Sequence, residues 1–340
     1  MNSIMDDQRN TALVITSISC SENNVLQDYA RKTSQHGFNY IIAGDEKSPN
    51  DFFIEGCHFM SLKEQFESGF SLTKLLPTKH YARKNCAYLE AMKAGCKVIV
   101  ETDDDNYAMD DFWKKREVYV QAKLYQNKGW LNVFKLFSEQ NIWPRGFSLN
   151  HIKDAPENES VDQQCYCPVQ QGLANENPDV DAIYRMILPL PVTFKQASNV
   201  VIGNNTWCPF NSQNTTWFKD VFMLMYLPSY CSFRMTDIWR SFVVQRICWE
   251  NEMGILFHNA TVWQERNEHD LLVDFRDELP GYMNNNAIVE QLNALTLRQG
   301  VEHIPENLLA CYQVFIDMNL MDKKELDLIR AWIEDVSSLI

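Results

Sequence analysis

Three consecutive aspartates, Asp103, Asp104 and Asp105, follow directly on the apolar run "KVIV", at the tip of what reads as a buried strand. Adjacent carboxylates repel one another, and a bound divalent cation or plain solvent exposure has to offset that repulsion. Upstream, at the start of a helix-compatible stretch, stand Arg83, Lys84 and Asn85. An acidic strand end preceded by a basic helix start suits a nucleoside diphosphate. A divalent cation bridges its phosphate oxygens to carboxylates, and cationic or amide donors take the remainder. Asp oxygens favour hard cations, here Mg2+ or Mn2+. A solvated acidic turn is the alternative. An EF-hand calcium loop fits poorly, because Tyr107 falls where an oxygen ligand is needed and no Gly occupies the sixth position.

Other residues could join such a site. Arg145 lies between Pro and Gly in the aromatic loop "WPRGF", where its planar fork suits a phosphate or sugar, with Trp143 and Phe147 either giving a stacking face or packing the loop. Asp237 precedes the helix-compatible "IWRSFVVQRICWE" and is either a carboxylate for proton abstraction or an acid interacting with the helix dipole. Arg246 in that stretch reads as a structural ion-pair partner.

The elements that must position these groups alternate. "TALVITSIS" is β-rich and precedes the helix-compatible "NNVLQDYARKTSQHG"; "FNYIIAGD" is a second strand; the helix "HYARKNCAYLEAMKAG" leads into "KVIVETDDD". Gly95 suits the left-handed residue that ends a helix. Strands alternating with helices predict an α/β fold, a mainly parallel sheet flanked by helices, whose ligands bind beyond the carboxyl ends of the strands. Residues 140–215 are rich in Asn, Pro and Gln and read as long ordered loops joined by short strands. Thr236 is expected to cap the helix over 236–250. The last 60 residues read as a helical extension, with Leu326, Ile329, Ile333 and Val336 on one face of the final helix.

Composition narrows the classes. A net charge of -14 makes sequence-independent nucleic-acid binding improbable. Ten cysteines without a CxxC, scattered through apolar runs, are expected to be reduced core thiols. "MNSIMDDQRN" has no signal-peptide character, and no apolar run approaches the roughly 20 residues of a membrane span. A soluble cytoplasmic protein without a membrane span is the expectation, and the sequons at Asn204, Asn214 and Asn259 are expected to be chance matches.

The segment "YARKNCAYLEAMKAGCKVIVETDDDN" resembles the A-R-N, helix, strand, D-x-D succession of GT-A nucleotide-sugar glycosyltransferases. It is more closely similar to the STELLO family of glycosyltransferases, and the likeness continues through "GDEKSPNDF", "WPRGF", "QQGLANENPDVD", "NSQNT" and "TDIWRSFVVQRICWE", over roughly residues 11–275. Cys86 and Ala87 depart from the family pattern within the helix.

The resemblance implies a GT-A, Rossmann-like domain over 1–275, with a donor half at about 1–135, an acceptor half at about 136–275, and a C-terminal helical extension over 276–340. It implies that Asp105 binds the metal and that Asp103 binds the metal through water or contacts the ribose, with Asp104 between them pointing away. Thr16 and Asp45 would hold the base, a turn-forming role being the alternative for either, and Arg83, Lys84 and Asn85 would meet the nucleotide, with an exposed helix start the alternative for Lys84. Asp237 would act as base in an inverting reaction, and His269 would be a late metal ligand. The expected function is metal-dependent transfer of a sugar from a nucleoside diphosphate, UDP first, to an acceptor hydroxyl of a carbohydrate or glycoconjugate. A sugar-nucleotide mutase and a non-catalytic scaffold are the alternatives.

Overall fold

The computed structural model describes residues 10–155, 159–265 and 270–340. His269 lies outside them.

The chain begins with β1 (Thr11–Thr16), α1 (Asn24–His36), β2 (Asn39–Ala43) and β3 (Cys57–Met60). Five of the six β1 residues are buried, as expected for a strand covered on both faces. The Asn23 side chain accepts from the Val25 and Leu26 amides to start α1, and Gly37, at φ 77°, ends it. Short helices α2 (Leu62–Glu67) and α3 (Ser71–Leu75) lead through a 3-10 turn at Tyr81–Arg83 into α4 (Lys84–Lys93), then β4 (Val98–Thr102) and β5 (Asn106–Ala108). Strands β3, β2, β1 and β4 pair in that order, all parallel. The expected β-α alternation is therefore present, and 103–105 fall just past the carboxyl end of β4.

The second half contributes β6 (Tyr119–Tyr125), β7 (Gly129–Trp130), β8 (Val161–Tyr166), β9 (Val169–Asn175), α5 (Ala182–Ile187), β10 (Val200–Ile202), β11 (Thr206–Trp207), β12 (Asn214–Phe218), α6 (Thr236–Glu250) and β13 (Ile255–Gln264). The sheet runs on from β4 through β12, β9, β13, β10 and β6 to β8. Here parallel pairs (β9 with β13, β6 with β10) mix with antiparallel ones (β12 with β4 and β9, β10 with β13, β6 with β8). Strand β12 lies antiparallel along all of β4 and joins the two halves into one sheet.

Helices α7 (Leu271–Ala294), α8 (Ile304–Asp317) and α9 (Glu325–Ser337) complete the chain. The boundary expected at 275 falls inside α7. The last helices also brace the first half: the Asp335 carboxylate accepts from the Ser71 and Leu72 amides at 2.9 and 2.8 Å, capping α3. On α9 the fully covered stripe is Leu328, Ile329, Trp332 and Val336, whereas Leu326 and Ile333 are half-buried. The stripe is rotated from the expected one because Trp332 reaches inward and donates to Met223 O at 2.8 Å. Helix α6 starts at Thr236, as expected, but no side chain caps it. The ten cysteines are free thiols, and among the described residues no helix is long and apolar enough to cross a membrane.

At the centre, Glu101 of β4 and Arg240 of α6 pair at 2.7 Å with neither side chain exposed. Trp217 Nε1 donates to Glu101 at 2.8 Å, the Tyr88 hydroxyl also donates to it, and the Arg240 guanidinium lies 4.9 Å from the Trp217 ring centroid. Strand β4, helix α4, strand β12 and helix α6 thus meet on one carboxylate. Breaking a buried pair strands the other charge, at a cost of about 3–5 kcal/mol, while an apolar replacement of both members is often tolerated. Arg240→Met is therefore expected to lower unfolding stability by about that amount, and Glu101→Leu combined with Arg240→Met to recover most of it. Urea unfolding of the three proteins measures this.

Candidate functional site

Beyond the carboxyl ends of β1, β2 and β4 two cavities share a wall. The first, of about 280 Å³, is lined by Thr16, Ser17, Asp45, His80, Tyr81, Asp104 and Phe233, among others. The second, of about 440 Å³, holds all three aspartates of the triplet on one side and Asp179, Ser212 and Asp237 on the other. Thr16, Tyr81, Asp104 and Phe233 border both. A cleft at this end of a parallel sheet is where α/β proteins bind ligands.

The three aspartates are held differently. Lys84, fully buried, reaches under the strand end, and its Nζ donates to Asp103 Oδ1 at 2.9 Å and to Thr102 O at 3.0 Å. Burial pushes the Asp103 carboxyl up to about 6 against the pull of Lys84, with repulsion from Asp105 and Asp104 adding to the rise. Its side chain is still 39% exposed, so solvent screens part of these interactions. Asp104 was expected to point away. It turns instead toward the loop after β1, accepting from the Ser17 and Ser19 hydroxyls, and Asn23 Nδ2 donates to its carbonyl at 3.2 Å. Asp105 Oδ2 accepts from Gln264 Nε2 of β13 at 3.0 Å. Among the described residues no group of three or more His, Cys, Asp or Glu forms a ready-made metal cage.

Asp45 accepts from the His80 amide at 2.9 Å and so fixes the turn before α4. Burial lowers His80 to about 4 and keeps it neutral, as befits an Nδ1 that accepts from the Ala82 amide at 3.0 Å. Its ring stacks on Tyr81, and Phe233 stands edge-on to both.

Three residues expected to contact the nucleotide are engaged by the protein itself, Arg83 and Arg145 from the cavity walls. The Arg83 side chain is fully buried, its guanidinium donating to Gln65 Oε1 at 2.6 Å, Leu76 O at 3.1 Å and Thr73 O at 3.3 Å, so it ties α2 and α3 to α4. Asn85 is also fully buried and exchanges two hydrogen bonds with the Leu227 backbone. Arg145 is a bidentate clamp, as its type predicts, but on a carboxylate: its Nε and Nη2 each donate to Asp179 at 2.8 Å, Nη2 also reaches both Asp237 oxygens at 3.1 Å, and Nη1 bonds Arg234 O. Trp143 is spent on packing and on a 2.7 Å bond to Asp181. In each case a donor buried beside protein acceptors is satisfied by them.

Asp237 lies on the cavity wall, 4% exposed. Besides Arg145 it accepts from the Ser212 amide at 3.1 Å, the Ser212 hydroxyl at 3.3 Å and the Tyr81 hydroxyl at 3.3 Å. Burial alone would raise its carboxyl; the Arg145 and Arg240 charges and the Ser212 amide prevail and hold it below the usual carboxylate range. It is charged at neutral pH and weakly basic.

The structure therefore gathers Thr16, Asp45, Asp103, Asp104, Asp105, Arg145 and Asp237 around one cleft, with Lys84 beneath it. Sequence reasoning missed Asp179, Ser212, Tyr81 and Phe233. Asp179 and Tyr81 fall inside the quoted motifs "QQGLANENPDVD" and "YARKNCAYL", and Ser212 inside "NSQNT". Membership of those motifs was their signal. Phe233 has none.

Residues 234–340 match the family model described as STELLO glycosyltransferases. Two Arabidopsis thaliana proteins, named "Probable glycosyltransferase STELLO2" and "Probable glycosyltransferase STELLO1", are 25% and 24% identical over 321 residues, covering 88% of this chain. The chain spans only 41% of the length of each. A solved structure titled "Crystal Structure of a Mycobacterial Protein" aligns over 83% of this chain and 77% of its own, at 9% identity and a TM-score of 0.39, a likeness too slight to bear on function. The family model at the C-terminal end and two relatives along most of the chain agree: this chain is similar to the STELLO glycosyltransferases.

Proposed function

We propose that the double cavity binds a nucleoside diphosphate sugar, with UDP the first nucleotide to test, and that the protein transfers the sugar to an acceptor hydroxyl. The observation that carries this reading is the convergence of Thr16, Asp45 and the Asp103–Asp105 triplet, from three separate strand ends, on adjoining cavities whose far wall is built by the second half. The smaller cavity, edged by Tyr81, His80 and Phe233, offers a base flat aromatic surfaces. The larger cavity offers the sugar and diphosphate a polar floor.

A divalent cation fits the donor set. We assign it to Asp105 and to the Asp103 oxygen that Lys84 does not bond, with Gln264 steadying Asp105 Oδ2 and the Ser17 and Ser19 hydroxyls both holding Asp104 Oδ2. Mg2+ is commonly held by one or two carboxylates plus substrate phosphates, which agrees with the absence of a complete cage among the described residues. When bound, Mg2+ or Mn2+ would neutralise charge on the departing diphosphate. Lys84 keeps Asp103 ionised and aimed at the cleft; Gln264 does the same for Asp105 from β13.

On the acceptor side stand Asp179 and Asp237, joined through Arg145. We assign Asp237 to the acceptor wall of an inverting reaction, where it takes the hydroxyl proton after releasing one of its present donors, Ser212 or Tyr81. Carboxylate-assisted proton transfer contributes about 10²–10⁴ in rate.

Titration of the protein with Mn2+ and UDP tests the donor site. Thermal stabilisation by UDP is expected to require the metal, to be abolished by Asp105→Ala and to survive Asp237→Asn. UDP release from a UDP-sugar plus acceptor is expected to fall at least about 100-fold in Asp237→Asn. Unchanged turnover in that variant would remove Asp237 from the chemistry. Because its folded pKa is depressed, the stability Asp237 contributes is present above the unfolded carboxylate value of about 4 and is lost as pH falls below it. Acid unfolding is therefore expected to shift less with pH below about 4 in Asp237→Asn than in the parent protein.

A further inference from the structure

A larger cavity lies at the opposite end of α6 from Asp237. It measures about 910 Å³, toward the top of the roughly 300–1,000 Å³ range of ligand pockets, and is framed by β6, β8, β10 and the end of α6. Asp237 and Trp249 are twelve residues apart on that helix, or about 18 Å along its axis, so the two sites cannot share one ligand ring.

Its chemistry differs from that of the donor cleft. Side-chain amides dominate the lining, with Gln126, Gln164, Asn205, Asn293 and Gln299 among them. Gln126, Gln164 and Gln299 are exposed to the cavity and, among the described residues, have no side-chain hydrogen-bond partner. Gly203 leaves space for the Gln126 side chain, since a Cβ there would lie 2.9 Å from Gln126 Nε2. Charge is nearly absent: Arg246 is consumed by Glu250 at 2.9 Å and by the Leu292 and Leu295 carbonyls, which leaves Glu252. A cavity so composed gives no grip on phosphates or polyanions. Amides, each donor and acceptor at once, match hydroxyl groups, which are the same.

An aromatic floor completes the arrangement. Trp249 lines the cavity, is 8% exposed, and its indole Nε1 is buried without a partner, with the edge of Trp207 4.4 Å away between ring centroids. Tyr166 adds a second aromatic side chain to the lining.

We propose that this cavity is a second binding site, for a neutral oligosaccharide, separate from the donor cleft. The ligand class follows from uncharged amides, the aromatic side chains of Trp249 and Tyr166 on the lining, and a volume larger than one sugar ring would fill. The inference does not depend on the donor cleft being catalytic.

The test titrates the full chain with uncharged gluco-, xylo- and manno-configured hexasaccharides while following indole N–H resonances by NMR, the Trp249 peak being the one missing from Trp249→Phe. At least one hexasaccharide is expected to move that peak. Its affinity is expected to drop at least tenfold in the exposed double variant Gln126→Ala/Gln164→Ala and to stay unchanged in Asp105→Ala and in the presence of Mn2+ and UDP. The proposal is overturned if no hexasaccharide at millimolar concentration moves the Trp249 peak. It is equally overturned if binding is lost in Asp105→Ala or displaced by UDP, since the ligand would then occupy the donor cleft.

Discussion

Glu101 and Arg240 form an ion pair with no solvent on either side, and the geometry of the cleft follows from it. Glu101 is the penultimate residue of β4, so its carboxylate fixes the strand whose next residues are the aspartate triplet. Arg240 lies one turn into α6, three residues after Asp237. The pair therefore sets the distance between the two walls of the cleft through one short, desolvated contact. Such a pair adds little net stability over an apolar alternative, because its desolvation offsets most of its attraction. What it adds is position: a charge buried here has one acceptable partner, and a shift of β4 against α6 would separate them.

A second network repeats the logic at the cavity surface. Arg145, in the loop after β7, holds Asp179 and Asp237 together, and Asn211 Nδ2 adds a bond to Asp179 at 2.9 Å. The Arg145 loop depends on Gly146 at φ 81°, where a Cβ would also strike Ile238 Cγ2 at 2.3 Å. "WPRGF" is thus a unit: Gly146 permits the approach to α6, Trp143 anchors the loop to Asp181, and Arg145 joins two carboxylates that would otherwise repel each other. Its aromatics are buried and carry no sugar-stacking face.

How much of this was legible varies with the physics behind each residue. The β-α alternation of the first hundred residues was readable because local signals agree: buried β-branched runs, and helix-ending glycines that the structure shows at Gly37 and Gly95 with positive φ. The placement of Asp103–Asp105 at a strand tip followed from the same pattern. The fate of Arg83, Asn85 and Arg145 did not, because a hydrogen-bond donor looks alike in sequence whether it faces a ligand or a buried protein acceptor, and only tertiary contacts decide. Asp179 was hidden for the converse reason. It follows "ENP" in a loop with no periodicity, and its partners Arg145 and Asn211 come from segments that only the fold brings together. The stripe on α9 was misplaced because hydrophobic spacing cannot foresee that Trp332 turns inward to Met223 while Asp335 caps another helix.

The charge balance of the cleft also constrains what can enter it. Its larger cavity presents five carboxylates, Asp103, Asp104, Asp105, Asp179 and Asp237, against three guanidinium groups. Arg145 is spent on two of those carboxylates, and Arg234 pairs with Glu278 at 2.8 Å. A diphosphate brought here alone would meet a surplus of negative charge near partly desolvated acids, where like charges repel more strongly than in water. A divalent cation held by Asp105 and Asp103, as proposed above, would convert the local sign and make the same surface favourable to phosphate. Metal and nucleotide are for that reason expected to bind with positive coupling, each raising the other's affinity by the same factor. Lys84 explains why the protein tolerates an acidic tip: a buried ammonium, held by the Thr102 carbonyl and Asp103, offsets part of the repulsion from beneath without occupying the space above the carboxylates.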